Sequence, residues 1–111
     1  MKKGGFYMEK IVEQGLLYDF YGELLTDHQK QVYEAAVYHD MSLGEIAEDF
    51  GISRQGVFDL IKRCDKTLQG YEEKLKLIQK FDNIKTTVEE IEQKTSQEDI
   101  KMLARRILEE L

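Results

Sequence analysis

The sequence predicts an all-α protein built around a helix-turn-helix. Three observations lead there. The 111 residues contain no Pro or Trp and balance 41% hydrophobic against 34% charged side chains, the profile of a charged helical chain. Apolar residues recur at three- and four-residue spacing along almost its whole length, without strand-like alternation. Finally, Thr26, Ser42 and Ser53 read as helix N-caps, the last two flanking Gly51.

The first helix is read over Glu9–Leu25, with Ile11, Val12, Leu16, Leu17, Phe20 and Leu24 on its apolar face. Residues 1–8 offer little apolar area to offset ordering entropy and are expected to form a disordered leader. Thr26 with Gln29 makes a capping box for a second helix to about Tyr38, with Val32, Tyr33, Ala36 and Val37 inward. Ser42 with Glu45 makes another, opening a helix that carries Leu43, Ile46, Ala47 and Phe50 and stops at Gly51. From Ser53 a long fourth helix is expected. Its seam runs through Ile61, Cys64, Leu68, Tyr71, Leu75 and Ile78, with Gly70 a place to bend at a cost of about 1 kcal/mol relative to Ala. The helix-turn-helix domain is thus read as residues 9–80. Residues 81–111 form a helical extension, packed on or swapped against the core. One of its helices holds Ile84, Val88 and Ile91, and a second, capped by Ser96, holds Ile100, Leu103, Ala104, Ile107, Leu108 and Leu111.

Within residues 42–63, Ala47 lets two helices cross closely, and Gly51 takes the left-handed conformation a tight turn demands. Ile52 and Val57 fill the angle between the helices. The second helix then presents Ser53, Arg54, Gln55, Phe58, Asp59, Lys62 and Arg63 outward, and these are the candidate nucleic-acid-binding residues. Arg forks onto guanine, Gln onto adenine, a capping Ser and helix N-terminus hold phosphate, and Lys or Arg neutralises backbone. The opposing reading is a solvated face, with Asp59 aimed where phosphate would lie.

Charge localises any such contact. The chain carries -6 overall, but residues 1–52 hold 4 basic and 10 acidic side chains, residues 53–80 hold 7 and 4, and residues 81–111 hold 5 and 8. Three or four basic groups on one helix give a salt slope of only about -3. Cys64 is the only cysteine and His28 and His39 stand apart, so no disulfide or metal site is expected. No apolar run approaches the roughly 20 residues that span a bilayer, and the N-terminus lacks a signal-peptide core. No membrane contact and a cytoplasmic location are expected. Neither a phosphate-binding glycine loop nor a nucleophile with its base is present, so no enzyme and no cofactor are expected.

Leu17-Tyr-Asp-Phe-Tyr-Gly-Glu-Leu-Leu-Thr-Asp-His-Gln, Ser42-Leu-Gly-Glu-Ile-Ala-Glu-Asp-Phe-Gly-Ile-Ser-Arg-Gln and Asp59–Arg63 together resemble the YlxM family of bacterial helix-turn-helix proteins, over residues 16 to about 75. The resemblance implies a fold like region four of sigma-70-type factors and a regulatory role linked to the signal recognition particle pathway. Gly56, Phe58 and Leu60 depart from the Ala, Tyr and Asn usual in that family, giving a looser, more apolar recognition helix. Three functions follow as expectations. The first is a non-catalytic accessory protein of that pathway, touching particle RNA or DNA through the helix-turn-helix. The second is a protein-interaction adaptor, in which the acidic first half and the seam of helix four engage the particle's GTPase or a second copy as a homodimer. The third is a sigma-like DNA-binding transcription regulator.

Overall fold

The computed structural model describes residues 3–111, with side chains from Lys10 onward. Its elements are α1 (Lys3–Tyr21), a 3-10 turn (Gly22–Leu24), α2 (Asp27–Val37), α3 (Leu43–Phe50), α4 (Arg54–Leu75), α5 (Leu77–Lys94) and α6 (Glu98–Glu110). The fold is all-α, with no strand among the described residues. Of the segment read as a disordered leader, residues 1 and 2 lie outside the described residues. From Lys3 the backbone is helical, so α1 begins well before the expected Glu9. No Pro and no Ser, Thr, Asp or Asn stands just before Glu9 to impose a start there.

The chain divides into two compact units, Met1–Leu75 and Lys76–Leu111. In the first, α2 and α3 pack on α4, and α1 packs on α2 and α4. Both capping boxes close. The Gln29 N–H donates to Thr26 Oγ1 at 3.2 Å and the Thr26 N–H to Gln29 Oε1 at 2.9 Å. The Ser42–Glu45 pair does the same at 3.1 and 2.8 Å. At the third start, Ser53 Oγ accepts the Gly56 N–H at 2.9 Å. Each cap stabilises its helix by about 1 kcal/mol.

Val32, Ala35, Ile46, Ala47 and Val57 form the buried cluster that joins α2, α3 and α4, with Leu43, Phe50, Ile52, Leu60 and Ile61 packed around it. Gly51 ends α3 at φ 68°, ψ 34°. Its N–H and that of Ile52 both return to the Ala47 carbonyl, the second bond being the long reach of a Schellman stop. Ala35 replaces the expected Ala36 and Val37 as the buried pair to Val32, and both of those are half-buried.

The face of α1 also differs from expectation. Val12, Leu16 and Leu24 are exposed, whereas Leu17, Tyr21 and Leu25 are buried. The reason is a polar-aromatic second core that a count of aliphatic residues does not reveal. Tyr33 and Asp65 are both buried, and the Tyr33 hydroxyl donates to Asp65 Oδ1 at 2.5 Å. Gln14 Nε2 donates to both oxygens of the same carboxylate at 3.0 and 3.1 Å, and Lys10 Nζ stands 4.0 Å away. Tyr18 donates to Glu34, Tyr21 to Glu72 and Tyr38 to Asp19. These hydroxyl-to-carboxylate bonds tie α1 to α2, α2 to α4 and α1 to α4. Charge-assisted hydrogen bonds of this kind are about twice as strong as neutral ones. Gly22 makes room for the network, because a Cβ there would stand 2.8 Å from the Tyr18 ring.

The long seam expected for helix four is interrupted. Cys64 and Leu68 are buried, so that part of the seam is core and offers no free surface. Gly70 lies inside an unbroken α4. The break falls at Lys76, held in the left-handed region at φ 55°. The unit boundary accordingly lies at Leu75–Lys76, ahead of the residue 80 expected, and Ile78 belongs to α5. Neither Gly nor Pro marks this break, and the apolar residues continue straight across it.

In the second unit α5 and α6 form a hairpin. Arg105 Nε meets Glu92 Oε2 at 2.9 Å across it. Val88 and Ala104 are its buried side chains, and Ile100, Leu103 and Ile107 along α6, with Leu111 just past its end, are exposed. Ser96 does not cap α6: Gln97 occupies the N-cap position without a side-chain bond. Instead the Gln97 N–H donates to Thr95 Oγ1 at 3.2 Å.

Candidate nucleic-acid interface

The site is built by the two caps and the bend between them. Ser42 starts α3, Gly51 turns the chain, and Ser53 restarts it as α4. Val57, buried against Ile46 and Ala47, sets which side of α4 faces inward. Leu60, Ile61 and Cys64 share that inner side, so the opposite side of these turns faces out, and Ser53, Arg54, Gln55, Phe58, Asp59, Lys62 and Arg63 are all exposed. The structure brings six of these seven candidate residues to one helix, with Ser53 as its cap.

They are not equally free. The Arg54 side chain lies back over the start of α3, where a Cβ added to Gly44 would stand 3.7 Å from its Nε. Gln55 donates to Asp59 Oδ1 at 3.0 Å, which holds that carboxylate and occupies one of the two amide donor hydrogens. The Lys62 ammonium sits 5.6 Å from the centre of the Phe58 ring, within cation–π range, so Phe58 supports a cation here. Among the described residues, Arg54, Lys62 and Arg63 form no ion pair. Such a surface can offer a guanidinium fork, a half-engaged amide and two further cations to an anionic ligand.

Behind this face, burial pushes the Cys64 thiol up to about 11, with Asp65 adding to the shift and Arg63 opposing it. The thiol is therefore protonated at neutral pH. Among the described residues, no group of three or more His, Cys, Asp or Glu side chains could hold a metal ion, and no helix is long and apolar enough to cross a membrane.

A shallow groove of about 600 Å³ opens beside the same stretch of α4, lined by Lys10, Asp59, Lys62, Arg63, Asp65, Lys66 and Gln69. Lys10, Asp65, Lys66 and Gln69 were not among the residues singled out from sequence. Lys66 and Gln69 continue the exposed row at helical spacing and could have been found that way. Lys10 could not, because it arrives from α1.

Comparison with known proteins agrees with this geometry. The family described as "Putative helix-turn-helix protein, YlxM / p13 like" (UPF0122) matches residues 8–106. A UPF0122 protein of Caldanaerobacter subterraneus subsp. tengcongensis is 50% identical over 78 residues, covering 70% of this chain and 67% of that one. A UPF0122 protein of Thermoanaerobacter sp. (strain X514) is 43% identical over 103 residues, covering 86% and 88%. One of Bacillus cereus (strain AH187) is 45% identical over 92 residues, covering 83% and 84%. With a glycine-turned pair of helices at its centre and a match along nearly all its length, the chain belongs to the YlxM/p13-like helix-turn-helix family, UPF0122.

Proposed function

We propose that this chain is a non-catalytic regulatory protein that holds nucleic acid on the outer face of α4, as an accessory of the signal recognition particle pathway. The observation that carries the binding half is the exposed row Arg54, Gln55, Lys62 and Arg63 on the second helix of a capped helix-turn-helix. Helices so placed enter a major groove with their N-terminal residues toward base edges. Ser53 and the first-turn amides add an anion-binding end. The pathway half follows from the family resemblance.

The acidic total and the small number of cations keep affinity modest, so the assay belongs at low salt. Mobility shifts on particle RNA and on promoter DNA, each across a salt series, separate the RNA accessory from a sigma-like regulator. Arg54→Ala and Lys62→Ala should each weaken whichever complex forms, Arg54→Ala by about 1–3 kcal/mol if it reads a base. No complex with either nucleic acid at low salt, or Arg54→Ala and Lys62→Ala indistinguishable from wild type, refutes this function.

A second reading, a protein adaptor, is favoured by one observation: the exposed apolar row Ile100, Leu103 and Ile107 on α6, continued by Leu111 just past its end. Its partners would be the particle's GTPase or a second copy of the chain. A chain that stays monomeric in light scattering and captures no GTPase in a pull-down rules it out.

A further inference from the structure

Resting on the nucleic-acid reading above, we infer that Lys10, Lys62, Arg63 and Lys66 form a seat for backbone phosphate of a duplex, distinct from the base-reading end of α4. The four cations line one groove of about 600 Å³ between α1 and α4. The groove is open to solvent and wide enough for a hydrated phosphodiester.

The anionic lining does not cancel them. Asp65 turns its carboxylate inward to Tyr33 and Gln14, with Lys10 4.0 Å away. Asp59, at the rim, accepts the Gln55 amide. Lys62, Arg63 and Lys66 are exposed and form no ion pair among the described residues. In a chain of net charge -6, three cations without carboxylate partners, gathered in one groove beside a Lys10 only loosely paired to Asp65 at 4.0 Å, are the groups a polyanion would meet.

Helix geometry says which part of the polyanion. Lys66 lies twelve residues beyond Arg54, about 18 Å along the axis at 1.5 Å per residue. A B-form major groove is about 12 Å wide. When the N-terminal Arg54 end reaches base edges, Lys66 at this distance lies on the part of α4 farther from the bases and nearer the sugar-phosphate strand. Lys10 of α1 flanks it there and brings a contact from outside the helix-turn-helix.

The test is the salt dependence of binding to a B-form DNA duplex. Each lost phosphate contact lowers the slope of log K against log salt by about 0.9. Lys10→Gln/Lys66→Gln should lower it by about 1.8, so that between 50 and 200 mM salt the variant loses about 12-fold less affinity than wild type. Lys10→Arg/Lys66→Arg should restore the wild-type slope, and Lys66→Gln alone should give about half the change. A matched loss of charge on α5, Lys80→Gln/Lys85→Gln, should leave the slope unchanged. An unchanged slope in Lys10→Gln/Lys66→Gln, or an equal fall in the α5 control, overturns the phosphate seat while the binding reading stands. A wild-type chain that binds particle RNA but no DNA duplex overturns the seat alone, and one that binds neither overturns both.

Discussion

Replacing Tyr33 by Phe tests what holds the first unit together. The ring, fully buried, is kept, and what disappears is the hydroxyl that donates to Asp65 Oδ1 at 2.5 Å. Asp65 retains the two Gln14 contacts and Lys10 at 4.0 Å, so the carboxylate is weakened in its support without being orphaned. Hydrogen bonds to charged groups contribute about 1.5–3 kcal/mol, and a partner left short adds part of its desolvation penalty. The expected loss is about 2 kcal/mol. For a unit of this size that lowers Tm by about 8–16 °C. All six tyrosines lie before Lys76 and Trp is absent, so near-ultraviolet circular dichroism or tyrosine fluorescence follows this unit specifically in urea. Tyr33→Phe/Asp65→Leu/Gln14→Leu, which removes the hydroxyl, the carboxylate and the amide that also meets it, should recover much of the loss. A Tyr33→Phe chain within about 0.5 kcal/mol of wild type would show that the polar core contributes little, and the argument from charge-assisted bonding would fail.

Three further outcomes are expected. Gly51→Val should destabilise the first unit by more than about 1 kcal/mol, because a β-branched residue is strained at φ 68° although space around it is open; equal stability by urea titration contradicts this. Gly22→Ala should also destabilise, since its Cβ would press to 2.8 Å on a Tyr18 ring held by Glu34 and stacked on Tyr33; Gly22→Ala/Tyr18→Leu should relieve the clash, and no relief would assign the effect to the backbone. Stability should fall in alkali. Burial raises Cys64 to about 11 and, with Asp19, Tyr38 to about 12, and burial with Asp65 raises Tyr33 further. Groups with raised folded values contribute fully below their unfolded values of 9.0 and 10.0, and lose that contribution as pH climbs through the folded ones. Tm measured from pH 7 upward should therefore stay level for these groups to about 9 and then decline; a flat curve to pH 11 would contradict the burial of Cys64 and Tyr33.

The helix-turn-helix was legible because its signals are local. A cap and its third residue, or a glycine after an apolar helix, are read within a few positions, and Ser42–Glu45, Gly51 and Ser53 do in the structure what their spacing implies. The outward row from Ser53 to Arg63 followed from the same periodicity. What could not be read were decisions made at a distance. Asp65 looks like one more surface acid on a charged helix until Tyr33 and Gln14 converge on it. The exposed Val12 and buried Tyr21 of α1 follow from hydroxyl partners some fifty residues on, such as Glu72. Lys76 interrupts the helix with a residue type that carries no stop signal, inside an apolar pattern that runs through it. Lys10 joins the basic groove only through the α1–α4 crossing.

Cys64 offers a clock for the opening of this core. As the sole thiol, fully enclosed and protonated at neutral pH, it should react with an alkylating reagent only during excursions that expose α4, since the thiolate is the nucleophile. Its labelling rate would then report those excursions directly by mass. A second cysteine placed on the outer face of α4 could be modified selectively while the native one stays silent.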